Sequence, residues 1–144
     1  MGRKSPFFDV GIIGAGPAGL FAAHHLAGKF SVLVIDRKRR PGGAGAVTDG
    51  KLNLTPKIGM DLNDLGLSEE EAFEIIDEID STFLRFGADP QLYGVDDEKV
   101  TWWLEKISWV QHRYEDGRVD IELVPARQRH MGTDMAGKVI SAFA

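Results

Sequence analysis

The chain has no cysteine. That excludes disulfides, thiolate metal sites and a redox-active dithiol. Its 144 residues carry 17 Lys and Arg against 22 Asp and Glu, a net charge of -5. It therefore lacks the basic excess with which a protein meets nucleic acid, and no nucleic-acid partner is expected. A long unbroken apolar run is also missing. The apolar stretch after Arg3 and Lys4 is interrupted by Asp9 and by the turn at Gly14, so it suits a strand better than a membrane span or a leader. Met1-Gly2 invites N-myristoylation, but Pro6 stands where Ser or Thr is needed. His24, His25 and His112 have no partner pattern, and no His/Asp/Glu set has metal-ligand spacing. What remains, 43% hydrophobic and 27% charged, is the composition of a globular domain with a real core. The expected location is the cytoplasm, with no membrane partner.

The most informative stretch runs from Val10 to Asp36, VGIIGAGPAGLFAAHHLAGKFSVLVID. Phe8 to Ile13 predicts a short buried strand, with Val10, Ile12 and Ile13 as its β-branched members. Gly14, Gly16 and Gly19 then form a G-x-G-x-x-G. In such a motif the first glycine permits the sharp turn and the second lets a pyrophosphate approach the backbone. The third lets the following helix pack close to the sheet. Pro17 suits a first helical turn, where its missing N–H costs nothing. The helix start presents free N–H groups and partial positive charge to phosphates. Leu20, Ala23 and Leu26 recur at helical spacing, Gly28 is the expected stop, and Ser31 to Ile35 the second strand. Asp36 ends that strand, where a carboxylate accepts hydrogen bonds from both hydroxyls of an adenosine ribose. Strand, glycines, helix and acid occur in order, and this is the fingerprint of a dinucleotide-binding βαβ unit. The competing reading is a glycine-rich βα turn with a solvated Asp.

Arg37 to Arg40 is a run of four basic residues, followed by Pro41, Gly42 and Gly43. It reads as a solvated turn or as a basic rim near a cofactor's adenosine or phosphates. Recognition of an NADP 2′-phosphate is a narrower version, which Asp36 opposes by charge repulsion. Gly42 to Pro56 holds four glycines and the turn signal Thr48-Asp49-Gly50. It reads as a ligand-facing loop, because long unstructured loops in compact domains are mostly functional, or as a simple flexible connection.

At this point the residues resemble a family. G-A-G-P-A-G-L, the acid-plus-basic end of the second strand, R-P-G-G and T-D-G-K-L-N-L are similar to the N-terminal region of FAD-dependent dehydrogenases with the glutathione-reductase type of FAD domain. The nearest group is a set of largely uncharacterised FAD-dependent dehydrogenases of bacteria and archaea. It shares a Thr48-to-Asn53-like segment and the later R-H-M-G-T-D of Arg129 to Asp134. The resemblance implies FAD, with NAD(P) as a further co-substrate. The implied cofactor-binding set is Gly14, Gly16, Pro17, Ala18, Gly19 and Asp36, then Arg37, Arg40, Gly42 and Gly43. Thr48, Asp49, Gly50 and Lys51 follow, near the ribityl chain or isoalloxazine, and finally Arg129 and His130. His130 reads as a partner for flavin or substrate, as a general acid near neutral pH, or as a loop histidine satisfied by backbone. No catalytic residue is assigned and no metal is expected. Without cysteines, electrons must pass through flavin alone or through groups outside the chain. Members of the family are longer, with a late Gly-Asp segment that closes over the ribityl chain and a substrate domain inserted before it. Neither is found here, so the expectation is an N-terminal part of a larger flavoprotein, associating with the remainder of that enzyme or with copies of itself.

Leu67 to Phe86 is the clearest predicted helix. Ser68 and Glu71 form a capping box, Ala72, Ile75, Ile76, Ile79, Phe83 and Phe86 a core stripe, and Gly87 the stop. Glu74, Asp77, Glu78 and Asp80 are expected on or near the solvated face. Asp96 and Asp97 are expected to cap a second helix running to about Gln111, with Val100, Leu104 and Ile107 on one face. Trp103 is expected to join that face, and Trp102 and Trp109 are read as core packing or as packing against the rest of a longer enzyme or a substrate. Val119 to Val124 predicts a strand, and Thr133 or Asp134 caps a last helix from Met135.

The predicted fold is α/β and Rossmann-like, one domain over 1–144, with a βαβ core at 7–43 and a helical and strand extension at 60–144. The expected function is FAD binding within a dehydrogenase-type oxidoreductase that passes a hydride or electron pair from a small-molecule substrate. Two alternatives stand beside it: an NAD(P)-binding domain of an oxidoreductase, and a non-catalytic nucleotide-binding module or inactive fragment.

Overall fold

The computed structural model describes residues 7–144. Met1-Gly2, Arg3, Lys4 and Pro6, on which the leader and lipidation readings turned, lie outside the described residues. The chain forms two compact units. The first comprises the residues up to Gly50 with Phe83–Ala88 and Met131–Ala144; the second comprises Lys51–Thr82 and Asp89–His130.

The first unit is built on a βαβ core. Strand β1 (Val10–Ile13) leads through helix α1 (Pro17–Leu26) to strand β2 (Val32–Ile35). The strands pair in parallel, Val10 opposite Val32 and Ile13 opposite Ile35, as the intervening helix requires. The fold is thus Rossmann-like α/β. Both strands start later than their apolar residues suggest. Asp9 and Ser31 lock the entry instead, with the Asp9 carboxylate accepting from the Ser31 N–H at 2.8 Å and from its hydroxyl at 2.6 Å. These bonds hold the Asp9 carboxyl below its ordinary range.

Each strand alternates. Val10, Ile12, Val32 and Val34 are half-buried, whereas Gly11, Ile13, Leu33 and Ile35 face solvent. Helix α1 covers the first row, and its close approach depends on Gly19. A Cβ there would lie 3.3 Å from Ile12 Cγ2 and only 1.9 Å from the Gly14 carbonyl oxygen. The second row is uncovered, with Ile13 92% exposed, so β1 is not the buried strand expected: helix α1 covers one face of it alone.

The expected glycine loop is partly ordered. A 3-10 turn occupies Gly43–Val47 and packs on the last helix, α5 (Thr133–Phe143). Ala136, Val139 and Ile140 of α5 are buried. Helix α5 starts two residues before the expected Met135, and neither Thr133 nor Asp134 caps it. Its cap is Gly132, at φ +76°, which makes no side-chain hydrogen bond. Phe21, Phe83, Phe86 and Phe143 form an aromatic cluster, with Phe21 and Phe143 ring centres 4.7 Å apart.

The second unit contains β3 (Lys51–Asn53), the short α2 (Leu62–Leu65), α3 (Glu69–Arg85) as far as Thr82, α4 (Asp97–Val110) and β4 (Gln128–His130). Strands β3 and β4 are antiparallel, with Leu52 opposite Arg129. Helices α3 and α4 start at the caps the sequence suggests, whereas α2 and its cap were not expected. Asp61 accepts from the Asn63 and Asp64 N–H groups, Ser68 and Glu71 form a reciprocal capping box, and Asp96 accepts from Lys99 N–H.

Four expectations need correction here. Val119 to Val124 is not a strand; its pairing is an isolated bridge from Val119 to Arg113, and Gln111 and Asp120 side chains take up backbone groups that a ladder would use. Ile75 is 41% exposed, so the α3 stripe narrows to Ala72, Ile76 and Phe83 as its fully buried members. Asp80 is not solvated, because Arg129 draws its carboxylate inward. Trp102, Trp103 and Trp109 are not core residues. They are exposed on α4, where the Lys106 ammonium stacks over Trp102 and Trp109 at 5.3 and 4.1 Å.

Candidate functional site

At the end of β1 the chain turns on Gly14, at φ +105°, a conformation that a side chain would strain. Its N–H donates to the Ile35 carbonyl at 2.7 Å, tying the turn to the end of β2. The next N–H, of Ala15, donates to Asp36 Oδ2 at 2.8 Å, and the Lys38 N–H donates to Asp36 Oδ1 at 2.7 Å. Asp36 thus ties the glycine turn to the loop after β2. These bonds, the Lys38 one foremost, together with the nearby Lys38 and Arg37 charges, hold its carboxyl below the ordinary Asp range. The side chain is exposed, and each oxygen retains acceptor capacity for a hydroxyl.

Gly16 is the N-cap of α1, and Pro17 follows at its first position. No side chain caps this helix start and no acid lies in its first turn. Its free N–H groups and partial positive charge therefore face outward. The three glycines of the fingerprint are required for different reasons. Gly14 is fixed by its backbone angle and Gly19 by the Gly14 carbonyl. A Cβ on Gly16 would meet no protein atom within 4 Å.

The R-P-G-G loop lies on this turn. The Gly42 N–H donates to the Ala15 carbonyl at 2.6 Å, and a Cβ on Gly43 would approach Gly16 Cα to 3.1 Å. Gly14, Asp36, Arg37 and Gly43 line a crevice of about 450 Å³ at the strand ends, the position at which open α/β sheets take ligands. Ala18 is exposed in the first turn of α1, and Arg37 and Arg40 are exposed beside the loop. Further along, Gly50 takes φ +75° and its carbonyl accepts from Met131 N–H at 2.8 Å, while Thr48 Oγ1 accepts from the Gly50 N–H at 3.4 Å. Asp49 is exposed.

Lys51, Arg129 and His130 fall in the second unit. Lys51 and His130 stand opposite each other across β3 and β4, and both are exposed. His130 is therefore a strand residue and not a loop histidine. Arg129 is buried, at 6% exposure. Its guanidinium forks onto both Asp80 oxygens and donates to the Pro90 carbonyl. The Asp80 hydrogen bonds raise its already high pKa. This pairing went unread in the sequence, although a signal exists: Asp80 lies four residues after Ile76 and eight after Ala72, on the buried side of α3. An acid on an apolar stripe asks for a cation. Among the described residues no His/Asp/Glu group is arranged to hold a metal ion. No helix among them is long and apolar enough to cross a membrane.

Comparison with known proteins adds two findings. The family described as NAD(P)-binding Rossmann-like domain matches residues 12–58, the stretch that holds the glycine turn, Asp36 and the R-P-G-G loop. Thiamine thiazole synthase of Pyrobaculum calidifontis is 42% identical over 89 residues, which are 61% of this chain and 29% of that protein. The chain thus matches less than a third of that relative's length. No solved structure matches.

Proposed function

We propose that this chain is the nucleotide-binding part of an FAD-dependent, dehydrogenase-type oxidoreductase. The observation that carries the proposal is the contrast at Gly16. The turn around it is tightly built from Gly14, Gly19, Asp36 and Gly43, yet the space above Gly16 itself holds no protein atom. Free helix N–H groups border that space, and a pyrophosphate fits their charge and geometry. In this reading the α1 start holds the pyrophosphate, Asp36 accepts from the adenosine ribose hydroxyls, and Arg37 and Arg40 border the adenosine side. When bound, flavin supplies the two-electron chemistry. The chain's residues bind and orient it, and none is assigned a proton transfer. The match to a nucleotide-binding Rossmann-like domain and the motifs shared with FAD-dependent dehydrogenases support the assignment.

The test is the visible absorbance spectrum of the purified chain with added FAD, beside a Gly16→Val variant. The expected outcome is flavin binding that falls by about 100-fold or more in the variant, roughly 2.7 kcal/mol, because the side chain fills the pyrophosphate space. Flavin binding that survives Gly16→Val sinks the placement. Binding of NADH but not FAD favours an NAD(P)-type domain, as the name of the matched family suggests. In that case NAD is preferred over NADP, since the ionised Asp36 repels a 2′-phosphate. The likeness to a thiamine thiazole synthase favours a second reading, in which the same turn serves a synthase. Turnover with an artificial electron acceptor separates the two, since a dehydrogenase reduces it.

A further inference from the structure

Among the described residues, some of the basic side chains form ion pairs and others do not. Lys57, Lys99, Arg118, Arg127 and Arg129 each form an ion pair inside the second unit. Lys38 and Arg40, on the loop after β2, and Lys138, on α5, form no ion pair with a carboxylate among the described residues. These three line one groove of about 490 Å³ in the first unit. Asp134, Gly137 and Ser141 of α5 complete the side facing them, one turn apart along the helix. Three cations therefore share a groove with a single carboxylate.

The groove is a product of close backbone packing. A Cβ on Gly137 would come within 3.1 Å of the Ala46 carbonyl oxygen, and one on Gly42 within 2.7 Å of Ile140 Cγ2. These glycines bring α5 down onto the 3-10 turn, so the cations stand around a narrow floor of small residues. Lys38 and Gly43 line both this groove and the dinucleotide crevice. The loop that carries them is a wall common to the two.

Three cations outnumber the single carboxylate of the groove, and an anion would offset the excess positive charge. We infer that the groove between the 3-10 turn and α5 is a second anion site, which takes the phosphate group of a small molecule. The volume is that of a small-ligand cleft. A net charge of -5 opposes a long polyanion, and the hydroxyl of Ser141 supplies a neutral donor beside Lys138. The α5 side of the site, Lys138, Ser141 and Asp134, belongs to none of the residues assigned to the cofactor, whereas Arg40 and Gly43 are shared with that assignment.

The experiment is a titration of the full chain with inorganic pyrophosphate, read by NMR at the Gly137 and Lys138 amides. It is run on the wild type and on Gly16→Val, which places a side chain in the open space at the start of α1. Saturable shifts at these amides are expected in both. Lys138→Gln is expected to weaken binding by about tenfold, as loss of one charge-assisted contact does, and Lys138→Arg to restore it. Shifts confined to Gly14–Gly19, or abolished by Gly16→Val, would place the anion in the crevice and overturn the inference. Absence of a response, a response that does not saturate, or one that ignores Lys138→Gln would overturn it as well. Tighter binding of single-stranded DNA or polyglutamate at the same amides would replace the small molecule with a polymer and overturn the ligand class.

Discussion

In the second unit, Arg129 gives its guanidinium to Asp80 and the Pro90 carbonyl, and Asp61, Ser68 and Asp96 close the starts of α2, α3 and α4. In the first unit, α1 starts on a glycine with no side-chain cap, and the side chains of Arg37 to Arg40 are exposed and form no salt bridge among the described residues, although the Lys38 and Arg37 charges act on Asp36. The second unit closes its helix starts and pairs its buried cation from within, leaving the buried Thr82 hydroxyl without a partner among the described residues; the first leaves donors and cations open. Open donors around a tightly specified backbone are what a ligand site requires before the ligand arrives. The difference also separates two kinds of mutational sensitivity, and three experiments can break or sharpen it.

The largest effect is expected in the second unit. Arg129→Met leaves the Asp80 carboxylate inward-facing and unpaired, with an expected loss of about 3–5 kcal/mol in a urea titration. The three tryptophans, Trp102, Trp103 and Trp109, all belong to that unit and report it by fluorescence. Adding Asp80→Leu should recover most of the loss, since a well-packed apolar pair often replaces a buried ion pair at little cost. If the double variant is no better than the single, the carboxylate was not the source of the destabilisation.

Next comes Gly19→Ala in the first unit. The added Cβ meets backbone, the Gly14 carbonyl oxygen at 1.9 Å, so the turn or the helix must move. An expected cost of about 1–3 kcal/mol accompanies loss of nucleotide binding. Gly16→Val should differ, losing binding while thermal stability stays within about 0.5 kcal/mol, as at open positions. Equal destabilisation by the two would erase the distinction between a glycine that the fold needs and one that the ligand needs.

The smallest effect is a pH dependence at Asp36. Its carboxyl is held below the ordinary value of 3.8 by the Lys38 and Ala15 N–H groups. The folded state thus favours the anion. The stabilisation is fully present above the ordinary value and is lost as pH falls through the lowered one. Asp36→Asn should lower Tm slightly at pH 6, and the gap to wild type should close on acidification. A gap independent of pH would mean that charge is not what ties the turn.

Much of this was readable beforehand, for local reasons. The βαβ core follows from the short apolar runs at Val10–Ile13 and Val32–Ile35 on either side of the glycine turn, and the helix starts from Ser68, Glu71 and Asp96, each of which acts within a few residues of its own position. The misses depend on partners distant in sequence. Gln128, Arg129 and His130 have no apolar alternation, and they form a strand because Lys51 to Asn53 pairs with them. Val119 to Val124 does alternate but has no ladder to join, so propensity alone did not make it a strand. The tryptophans of α4 look like core by type and are surface by placement. Of the candidate site, the crevice from Gly14 to Gly43 was legible because its chemistry is backbone geometry written as glycine. The groove at Lys138 was not, because it joins residues that lie about a hundred positions apart.

The uncovered row on the parallel pair, with Ile13 at 92%, Ile35 at 53% and Leu33 at 37% exposure, has a calorimetric consequence. Apolar surface that is already wet in the native state adds nothing to the heat capacity gained on unfolding. This chain should therefore show a shallower heat-capacity step than the usual ~12–15 cal/mol/K per residue, and a broader, flatter stability curve. Anything that later covers the row will register first as a negative heat capacity of association, before any change in affinity reveals what it is.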